Sequence, residues 1–242
     1  MDLGLTGRTA VVTGASRGIG AATVRMLEEE GVKTLAVSRS QGIDVTALDA
    51  AEQIAAKLGG APDILVNNAG TSFSKALDEL SEEDWQSQWE LHVMASMRLM
   101  RAFAPKMAEN GWGRIVNVTS SAGKRPSLTN AAYSVTKAAQ SSLSRIFSDI
   151  YGPQGVLVNA VAPGPVASAL WMEEGGLADQ TAAARGLSRE EAIELQAAKI
   201  TLRRFGTEDE IASVVVFLCS ERAANVSGAH WSVDGGTVAT IV

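Results

Sequence analysis

The stretch "AVVTGASRGIG", residues 10–20, decides the fold of this chain. Together with the two residues before it, its first half predicts a strand over 8–13 that is buried on both faces. Three glycines follow at once. A strand that passes into a helix through glycines brings backbone N–H groups and the positive end of the helix dipole up to a bound group, so the turn suits a phosphate. The spacing is Gly-x-x-x-Gly-x-Gly rather than the commoner Gly-x-Gly-x-x-Gly, and a strand–helix turn without a ligand is the alternative.

The rest of the chain continues the alternation of strand and helix. Further strands are predicted at 34–38, 63–70, 113–120, 155–164 and 229–236, with a short one at best at 43–45. Helices are predicted at 18–30, 46–58, 81–110, 130–151 and 207–221. Strands separated by helices imply right-handed crossovers and a parallel sheet that is covered on both faces. We therefore expect an α/β fold, a Rossmann-like doubly wound parallel sheet in three α/β/α layers, formed by a single domain over 1–242.

Residues 165–203 are the least regular part of the chain. Segments of about forty residues between a strand and a helix are usually lids or binding elements. This segment places Leu170, Trp171, Met172 and Leu177 beside a polar helix at 188–199. The pattern predicts a substrate lid with an apolar mouth suited to a hydrophobic or mid-sized ketone. The indole of Trp171 either faces the substrate or anchors the lid in the core.

Composition excludes several classes of function. The 242 residues carry a formal net charge of −6 and no long run of Lys or Arg, which disfavours nucleic acid or an anionic membrane as the main partner. No segment approaches the ~18 apolar residues that a membrane span requires. Cys219 is the only cysteine, and with no signal-peptide pattern at the start it predicts a reducing, cytoplasmic location. No His, Cys and Asp cluster has the spacing of metal ligands, so no catalytic metal is expected.

Four motifs occur in order along the chain: "TGASRGIG" (13–20), "NNAG" (67–70), "YSVTK" (133–137) and "PGPVAS" (163–168). In this combination the chain resembles the short-chain dehydrogenase/reductase family over essentially its whole length, and it is similar to the 3-oxoacyl-acyl-carrier-protein reductase type of that family. The resemblance implies an NADP(H)-dependent oxidoreductase that transfers a hydride between the nicotinamide and a carbonyl or secondary alcohol.

Two arginines indicate which nicotinamide cofactor is bound. Ser38 stands at the end of the second predicted strand, where NAD-binding folds place an acid, and Arg39 follows it. Arg17 lies in the glycine turn. Two guanidinium groups suit the 2′-phosphate of NADP, and a carboxylate there would repel it. We therefore predict a preference for NADPH over NADH. The alternative is that Arg17 and Arg39 are solvated surface charges.

The resemblance implies further contacts to the cofactor. Asp44 and Val45 should flank the adenine, although only "QGI" separates the second strand from the third, where the family usually inserts a helix. Asn68 should contact the adenosine ribose, or it only ties strands together. The full expected set is Gly14, Ser16, Arg17, Gly18, Ile19, Gly20, Ser38, Arg39, Asp44, Val45, Asn68, Ala69, Gly70, Tyr133, Lys137, Pro163, Gly164, Val166 and Ser168.

Tyr133 and Lys137 are four residues apart in a predicted helix and share one face. A tyrosine titrates near pKa ~10 and must shift down by about three units to exchange protons near neutral pH. A neighbouring ammonium and a cationic nicotinamide both favour the phenolate. Ser120 ends a predicted strand at the carboxyl edge of the sheet, where open α/β folds bind ligands. The implied roles are acid/base for Tyr133, ribose and charge contacts for Lys137, and a hydrogen bond to the substrate oxygen for Ser120.

His92 occupies the position where the family usually has an asparagine, which is thought to hold a water that relays protons to the lysine. A histidine is both donor and acceptor and could do similar work. It could equally be a packed helix residue. We carry His92 as a candidate catalytic residue with both alternatives open.

Two other functions are compatible with the same motifs: an NADP-binding sensor or scaffold without catalysis, and an isomerase or lyase on the same fold. A thioester on acyl carrier protein would require a basic docking patch, for which 203–204 and 124–125 are candidates. The resemblance also implies a homotetramer built by the long helices 81–110 and 130–151 and by the last helix and strand.

Overall fold

The computed structural model describes residues 2–239, so residues 1 and 240–242 of the predicted domain lie outside the described part. Its strands are β1 Thr9–Thr13, β2 Lys33–Val37, β3 Ile64–Asn67, β4 Gly113–Val118, β5 Val156–Pro163 and β6 His230–Val233. Its helices are α1 Gly18–Glu29, α2 Ala50–Leu58, α3 Glu82–Trp89, α4 Ala95–Glu109, α5 Ala131–Tyr151, α6 Ala169–Met172, α7 Leu177–Arg185, α8 Arg189–Ala197 and α9 Glu208–Cys219.

The strands form one parallel sheet in the order β2-β1-β3-β4-β5-β6. Val11 of β1 pairs with Leu35 on one side and with Leu65 on the other. The chain therefore adds β2 on one side of β1 and all later strands on the other side, so the direction in which strands are added reverses between β1 and β3. Ligands of open α/β sheets bind at the carboxyl ends of the strands beside such a reversal. The predicted fold class is confirmed.

The prediction of a short strand at 43–45 is wrong. The chain leaves β2, forms a 3₁₀ turn at Arg39–Gln41 and continues without strand structure to α2. A parallel crossover takes about a dozen residues, and the three residues "QGI" are too few for one. Ile43 and Val45 are buried against Ile54 of α2 instead. β2 is thus the edge of the sheet.

Alternate residues of each strand face the two opposite layers of helices. Val12 packs with Leu27 of α1 and Val215 of α9, whereas Val11 packs on the other face with Leu99 of α4 and its neighbours from α2 and α5. All five of these side chains are fully buried. Burial of a Val or Leu side chain contributes about 1.5–3 kcal/mol, so both faces of the sheet hold the domain together.

The helix predicted at 81–110 is interrupted by one π-helical turn. Ser81 caps α3 by accepting from the Asp84 backbone N–H, as its capping box predicts. The turn Glu90–Met94 then widens the helix before α4 begins. Such turns insert one extra residue and are frequent at functional sites. This turn carries His92.

Residues 165–203 are more regular than predicted, because they contain the three helices α6, α7 and α8. The indole of Trp171 packs edge-on against Phe205, with ring centres 5.1 Å apart. Arg189 of α8 pairs with Asp179 of α7 at 2.9 Å, and the two helices pack together. Of the three helices, α8 lies within the polar helix predicted at 188–199, whereas α6 and α7 are too short for their periodicity to be recognised in the sequence.

Candidate active site

A cavity of about 1320 Å³ opens at the carboxyl edge of the sheet. Most of the residues expected from the sequence line its wall. These are Gly14, Ser16, Arg17, Gly18, Ile19, Ser38, Arg39, Asp44, Val45, Asn68, Ala69, Gly70, Ser120, Tyr133, Lys137, Pro163, Gly164, Val166 and Ser168. Two are absent from the wall, Gly20 and His92.

The glycine turn has the conformation that the sequence predicts, but its glycines serve different purposes. Gly14 and Gly18 have φ of +67° and +65°, in the left-handed region that favours glycine. A Cβ on Gly20 would lie 2.5 Å from the Gly14 carbonyl oxygen and from the Asn68 amide. Gly20 is therefore required for packing of α1 against the end of β3, and its expected contact with a ligand stays a prediction. Arg17 provides no side-chain cap, which leaves the first N–H groups of α1 free for a phosphate.

Asn68 ties the ends of two neighbouring strands together. Its side-chain N–H groups donate to the carbonyls of Thr13 and Gly14, at 2.9 and 3.2 Å. The Thr13 hydroxyl in turn accepts from the backbone N–H groups of Asn68 and Ala69. This geometry favours the second of the two alternatives for its side chain, and Asn68 also forms part of the cavity wall.

Asp44 and Val45 reach the cavity without a strand to carry them. The Asp44 carboxylate accepts from the backbone N–H and the hydroxyl of Thr46, at 2.9 and 2.7 Å. These bonds hold the pKa of Asp44 below its ordinary value. Val45 is buried beside it. A hydrogen-bonded loop thus replaces the missing strand at this end of the cavity.

Arg17 and Arg39 both lie at the same end of the cavity, but only one is free of a carboxylate among residues 2–239. Arg17 Nη1 lies 2.6 Å from a carboxylate oxygen of Glu173, in the segment 165–203. Both side chains are exposed, and exposed pairs contribute about 0–1 kcal/mol. The pair joins the glycine turn to this segment. Because the pair is weak, an anion that binds Arg17 can replace Glu173 at little cost in free energy.

Ser120 and Tyr133 converge on one wall of the cavity. The Ser120 oxygen accepts from the backbone N–H of Ala122 at 3.1 Å, which leaves its own proton available to donate. Burial raises the pKa of the Tyr133 phenol, and a hydrogen bond from Ser120 opposes that shift. The expected lowering of the Tyr133 pKa is therefore not produced by the protein alone, because burial outweighs the hydrogen bond.

Lys137 is fully buried beneath Tyr133, with its Nζ 5.7 Å from the centre of the phenol ring. Nζ donates to the Val118 carbonyl at 2.8 Å and to Gln140 Oε1 at 2.9 Å. The Gln140 amide donates to the Ser96 hydroxyl at 2.8 Å. Burial lowers the pKa of Lys137 to about 7. Our reading of the sequence missed Gln140, although its position three residues after Lys137 places it on the same helix face.

His92 lies behind the cavity wall and is fully buried. Its Nε2 accepts from the Thr71 backbone N–H at 3.2 Å, and its Nδ1 lies 2.9 Å from the Thr136 hydroxyl. Burial, followed by the charge of Lys137, holds the pKa of His92 well below its ordinary value. Both ring nitrogens therefore have protein partners, which favours the alternative of a packed helix residue over a water-holding one.

The substrate end of the cavity is more polar than the expected apolar mouth. Leu170, Trp171 and Leu177 do line it, whereas Met172 does not. They are joined by polar and cationic side chains, namely Ser72, Gln88, Arg125, Asn130, Thr181, Arg185, Gln196 and Lys199. Of these, our reading of the sequence singled out only Arg125, as part of a candidate docking patch. These residues come from three separated segments, so no local pattern could bring them together.

Residues 2–239 also bear on two other features, a membrane-spanning helix and a metal site. None of the helices there is long and apolar enough to cross a membrane. The same residues contain no group of three or more His, Cys, Asp or Glu side chains that could hold a metal ion.

Residues 41–238 match the family model described as Enoyl-(Acyl carrier protein) reductase, and residues 8–48 match the one described as short chain dehydrogenase. The chain is 32% identical to the 3-oxoacyl-[acyl-carrier-protein] reductase of Aquifex aeolicus, over 98% of this chain and 99% of that protein. The crystal structure of L-sorbose reductase from Gluconobacter frateurii, complexed with NADPH and L-sorbose, superposes with a TM-score of 0.89 at 30% identity, over all of both chains. A candidate NAD(P)-dependent gluconate 5-dehydrogenase from Beutenbergia cavernae, with bound NADP, gives 0.86 at 32% identity, over 99% of this chain and 100% of that one. With its four ordered motifs and its doubly wound sheet, this chain belongs to the short-chain dehydrogenase/reductase family.

Proposed function

We propose that this protein is an NADPH-dependent reductase of small carbonyl compounds, with Tyr133 as the acid/base. The observation that carries the proposal is the convergence of Ser120, Tyr133 and Lys137 on one cavity, which the glycine turn also lines. The family to which the chain belongs supports an oxidoreductase. The two structural relatives with bound NADPH or NADP support the choice of cofactor.

The residues present fit NADP(H). The uncapped N-terminus of α1 suits a pyrophosphate, and Gly14 lets the chain turn beside it. Arg39 has no carboxylate partner among residues 2–239, and Arg17 exchanges an exposed carboxylate for a phosphate when it binds the 2′ position. Ser38 leaves that position without the negative charge that would favour NAD.

Bound NADPH supplies a hydride to the carbonyl carbon of the substrate, and the carbonyl oxygen takes a proton. The raised pKa of the Tyr133 phenol keeps it protonated at neutral pH, so it can donate that proton. The Ser120 hydroxyl, held by Ala122, donates a hydrogen bond to the same oxygen as negative charge develops on it. The ammonium of Lys137 stabilises the phenolate that remains. The sum is ketone plus NADPH plus H⁺ to secondary alcohol plus NADP⁺.

The polar substrate end favours a small hydrophilic carbonyl compound over a thioester on a carrier protein. Three of the four basic side chains considered for carrier docking are already engaged, Arg203 by donating to the Ala198 carbonyl. Arg204 pairs with Glu210 at 2.5 Å, and Lys124 donates to the His230 carbonyl at 2.7 Å. L-sorbose, the ligand of one structural relative, is a small polyhydroxylated ketone of the favoured kind.

Oxidation of NADPH and of NADH with a panel of ketoses, diketones, cyclic ketones and acetoacetyl thioesters tests the function. We expect stoichiometric reduction of a hydrophilic ketone, with NADPH preferred to NADH by more than about tenfold in kcat/KM. Ser38→Asp should remove that preference, whereas Lys33→Gln, on the exposed start of β2, should leave it unchanged. Equal specificity constants for the two cofactors would reject the assignment of Arg17 and Arg39. Tight NADPH binding without turnover of any carbonyl would indicate a sensor.

We also infer that the segment 165–203 acts as the lid over the substrate. We infer further that the protein forms a homotetramer. Val135, Ile146 and Ile150 on α5 are about half exposed, which is unusual for large aliphatic side chains on a single helix. Their spacing places Ile146 and Ile150 on one face of the helix. That face supports the assembly expected from the sequence. A cytoplasmic location stays a prediction from the sequence.

A further inference from the structure

The cavity carries a charge opposite to that of the whole chain. The protein has a formal net charge of −6. Among the described residues that line the cavity, however, cations outnumber carboxylates by six to one. They are Arg17, Arg39, Arg125, Lys137, Arg185 and Lys199, with Asp44 as the one carboxylate. A concave site with such an excess concentrates anions against the field of the rest of the molecule.

NADPH and the catalytic lysine account for only half of these cations. The other three, Arg125, Arg185 and Lys199, belong to the substrate end of the cavity. Arg125 follows β4, Arg185 ends α7 and Lys199 follows α8. None of the three pairs with a carboxylate of residues 2–239. Their charge is therefore available to a ligand.

Arg185 and Lys199 are close enough to repel each other. Partial burial, followed by the charge of Arg185, lowers the pKa of Lys199. Arg185 ends α7 and Lys199 lies just after α8, and the Arg189–Asp179 pair holds these two helices together. Two cations that line one cavity and form no ion pair with a carboxylate of residues 2–239 suit a bound anion.

Deeper in the same cavity, two buried polar side chains have atoms without a partner. Among residues 2–239, the Oε1 atom of Gln88 and the Oγ atom of Ser72 find no hydrogen-bond partner, although the two residues are only 2% and 7% exposed. Gln88 also lines a small void together with Tyr133. Buried polar atoms are nearly always hydrogen-bonded, so these two oxygens are suited to bind polar groups of a ligand once the side chains turn them into the cavity that both residues line.

We propose that the substrate is a small polyhydroxylated keto acid, with its carboxylate bound by Arg185 and Lys199 and its hydroxyl groups bound by Gln88 and Ser72. The inference rests on the proposed function and adds the charge of the substrate to it. The chemistry catalysed is the ketone reduction given above.

Two matched pairs of ketones test the charge, and the double variant below separates it from the higher intrinsic reactivity of a 2-keto acid. 5-Keto-D-gluconate differs from L-sorbose, and 2-keto-D-gluconate from D-fructose, only by a carboxylate in place of a terminal CH₂OH. With NADPH, we expect the acid of at least one pair to exceed its neutral partner by more than about tenfold in kcat/KM. The double variant Arg185→Gln with Lys199→Gln should reduce that ratio by about tenfold, mainly through KM, and added salt should reduce it in the native protein. The control is Lys33→Gln, which should keep the ratio.

Binding gives the same comparison without turnover. Calorimetry with the NADP⁺-saturated protein should show D-gluconate binding more than about tenfold tighter than D-glucitol, and the double variant should abolish the difference. The inference is overturned if the neutral ligand binds equally well, or if the double variant leaves the ratio unchanged. Turnover of acetoacetyl-CoA with both keto acids inert would also overturn it. If no carbonyl is reduced, the proposed function fails, and the binding comparison still decides whether the site takes an anionic polyol.

Discussion

At the scale of single residues, the site depends on how Lys137 is held. A buried lysine without a carboxylate beside it loses its charge readily, and burial brings the pKa of Lys137 to about 7. Its hydrogen bonds go to the Val118 carbonyl and to Gln140, both of which favour the ammonium form. Ser96 fixes the orientation of the Gln140 amide. Gln140 is thus a positioning residue that helps to keep Lys137 charged.

Changes at Gln140 should move the pH profile in opposite directions. Gln140→Leu removes an acceptor of the charged form, so the pKa of Lys137 falls further and activity is lost at a lower pH as pH rises. Gln140→Glu adds a carboxylate, so the same alkaline limb moves to higher pH. We expect shifts of about one pH unit in the profile of kcat for ketone reduction. Identical profiles for the native protein and both variants would show that Gln140 only fills space.

The chemistry of these residues was predictable only where it is local. Tyr133 and Lys137 are recognisable because four residues make one helical turn. The contact between Gln140 and Ser96 joins residues 44 positions apart, and it exists only after two helices have packed. For the same reason the sequence left His92 undecided, since its partners Thr71 and Thr136 come from elements that are distant in the chain.

At the scale of elements, the turn between β1 and α1 not only lines the cavity but also packs closely against the chain that follows β3. Gly14 and Gly20 contact the chain that follows β3, where Asn68 binds back to the end of β1. Sequence alone predicted the turn, the helix that follows and the sheet, because the glycine spacing and the buried strand are both local. It did not predict the packing reason for Gly20, the π-helical turn at Glu90–Met94 or the helices α6 and α7.

Gly20→Ala should destabilise the protein by about 1–3 kcal/mol, because the new methyl group would meet a backbone carbonyl that cannot move away. Urea unfolding measures the free energy of unfolding directly. Gly206→Ala is the matched control, since a Cβ there meets nothing nearer than 3.8 Å and its φ lies outside the left-handed region. We expect that control to lie within about 0.5 kcal/mol of the native protein. Equal stability of the two variants would contradict the packing described for Gly20.

At the scale of the whole molecule, one face of α5 builds the site and another face is left exposed. Tyr133 and Lys137 point towards the cavity, whereas Ile146 and Ile150 are exposed near the other end of the same helix. An interface there would hold the helix that carries the catalytic pair. The sequence predicted the two long helices, and it could not show which of their residues stay uncovered after folding.

Ile146→Glu should dissociate the assembly, because it places a charge in an apolar interface. Light scattering coupled to size-exclusion chromatography should show a tetramer for the native protein and smaller species for the variant. The control for the change in charge is Lys33→Gln, at an exposed position outside α5. A monomeric native protein at micromolar concentration would contradict the assembly.

The most direct test compares Tyr133→Phe with Tyr151→Phe, which alters the only other tyrosine of the chain. Steady-state NADPH oxidation with the best ketone and NADPH binding by fluorescence are measured on both. We predict that Tyr133→Phe lowers kcat by at least about a thousandfold while the dissociation constant for NADPH stays within a few-fold, and that Tyr151→Phe changes neither. Substantial turnover by Tyr133→Phe would contradict the assignment of its phenol as the proton donor.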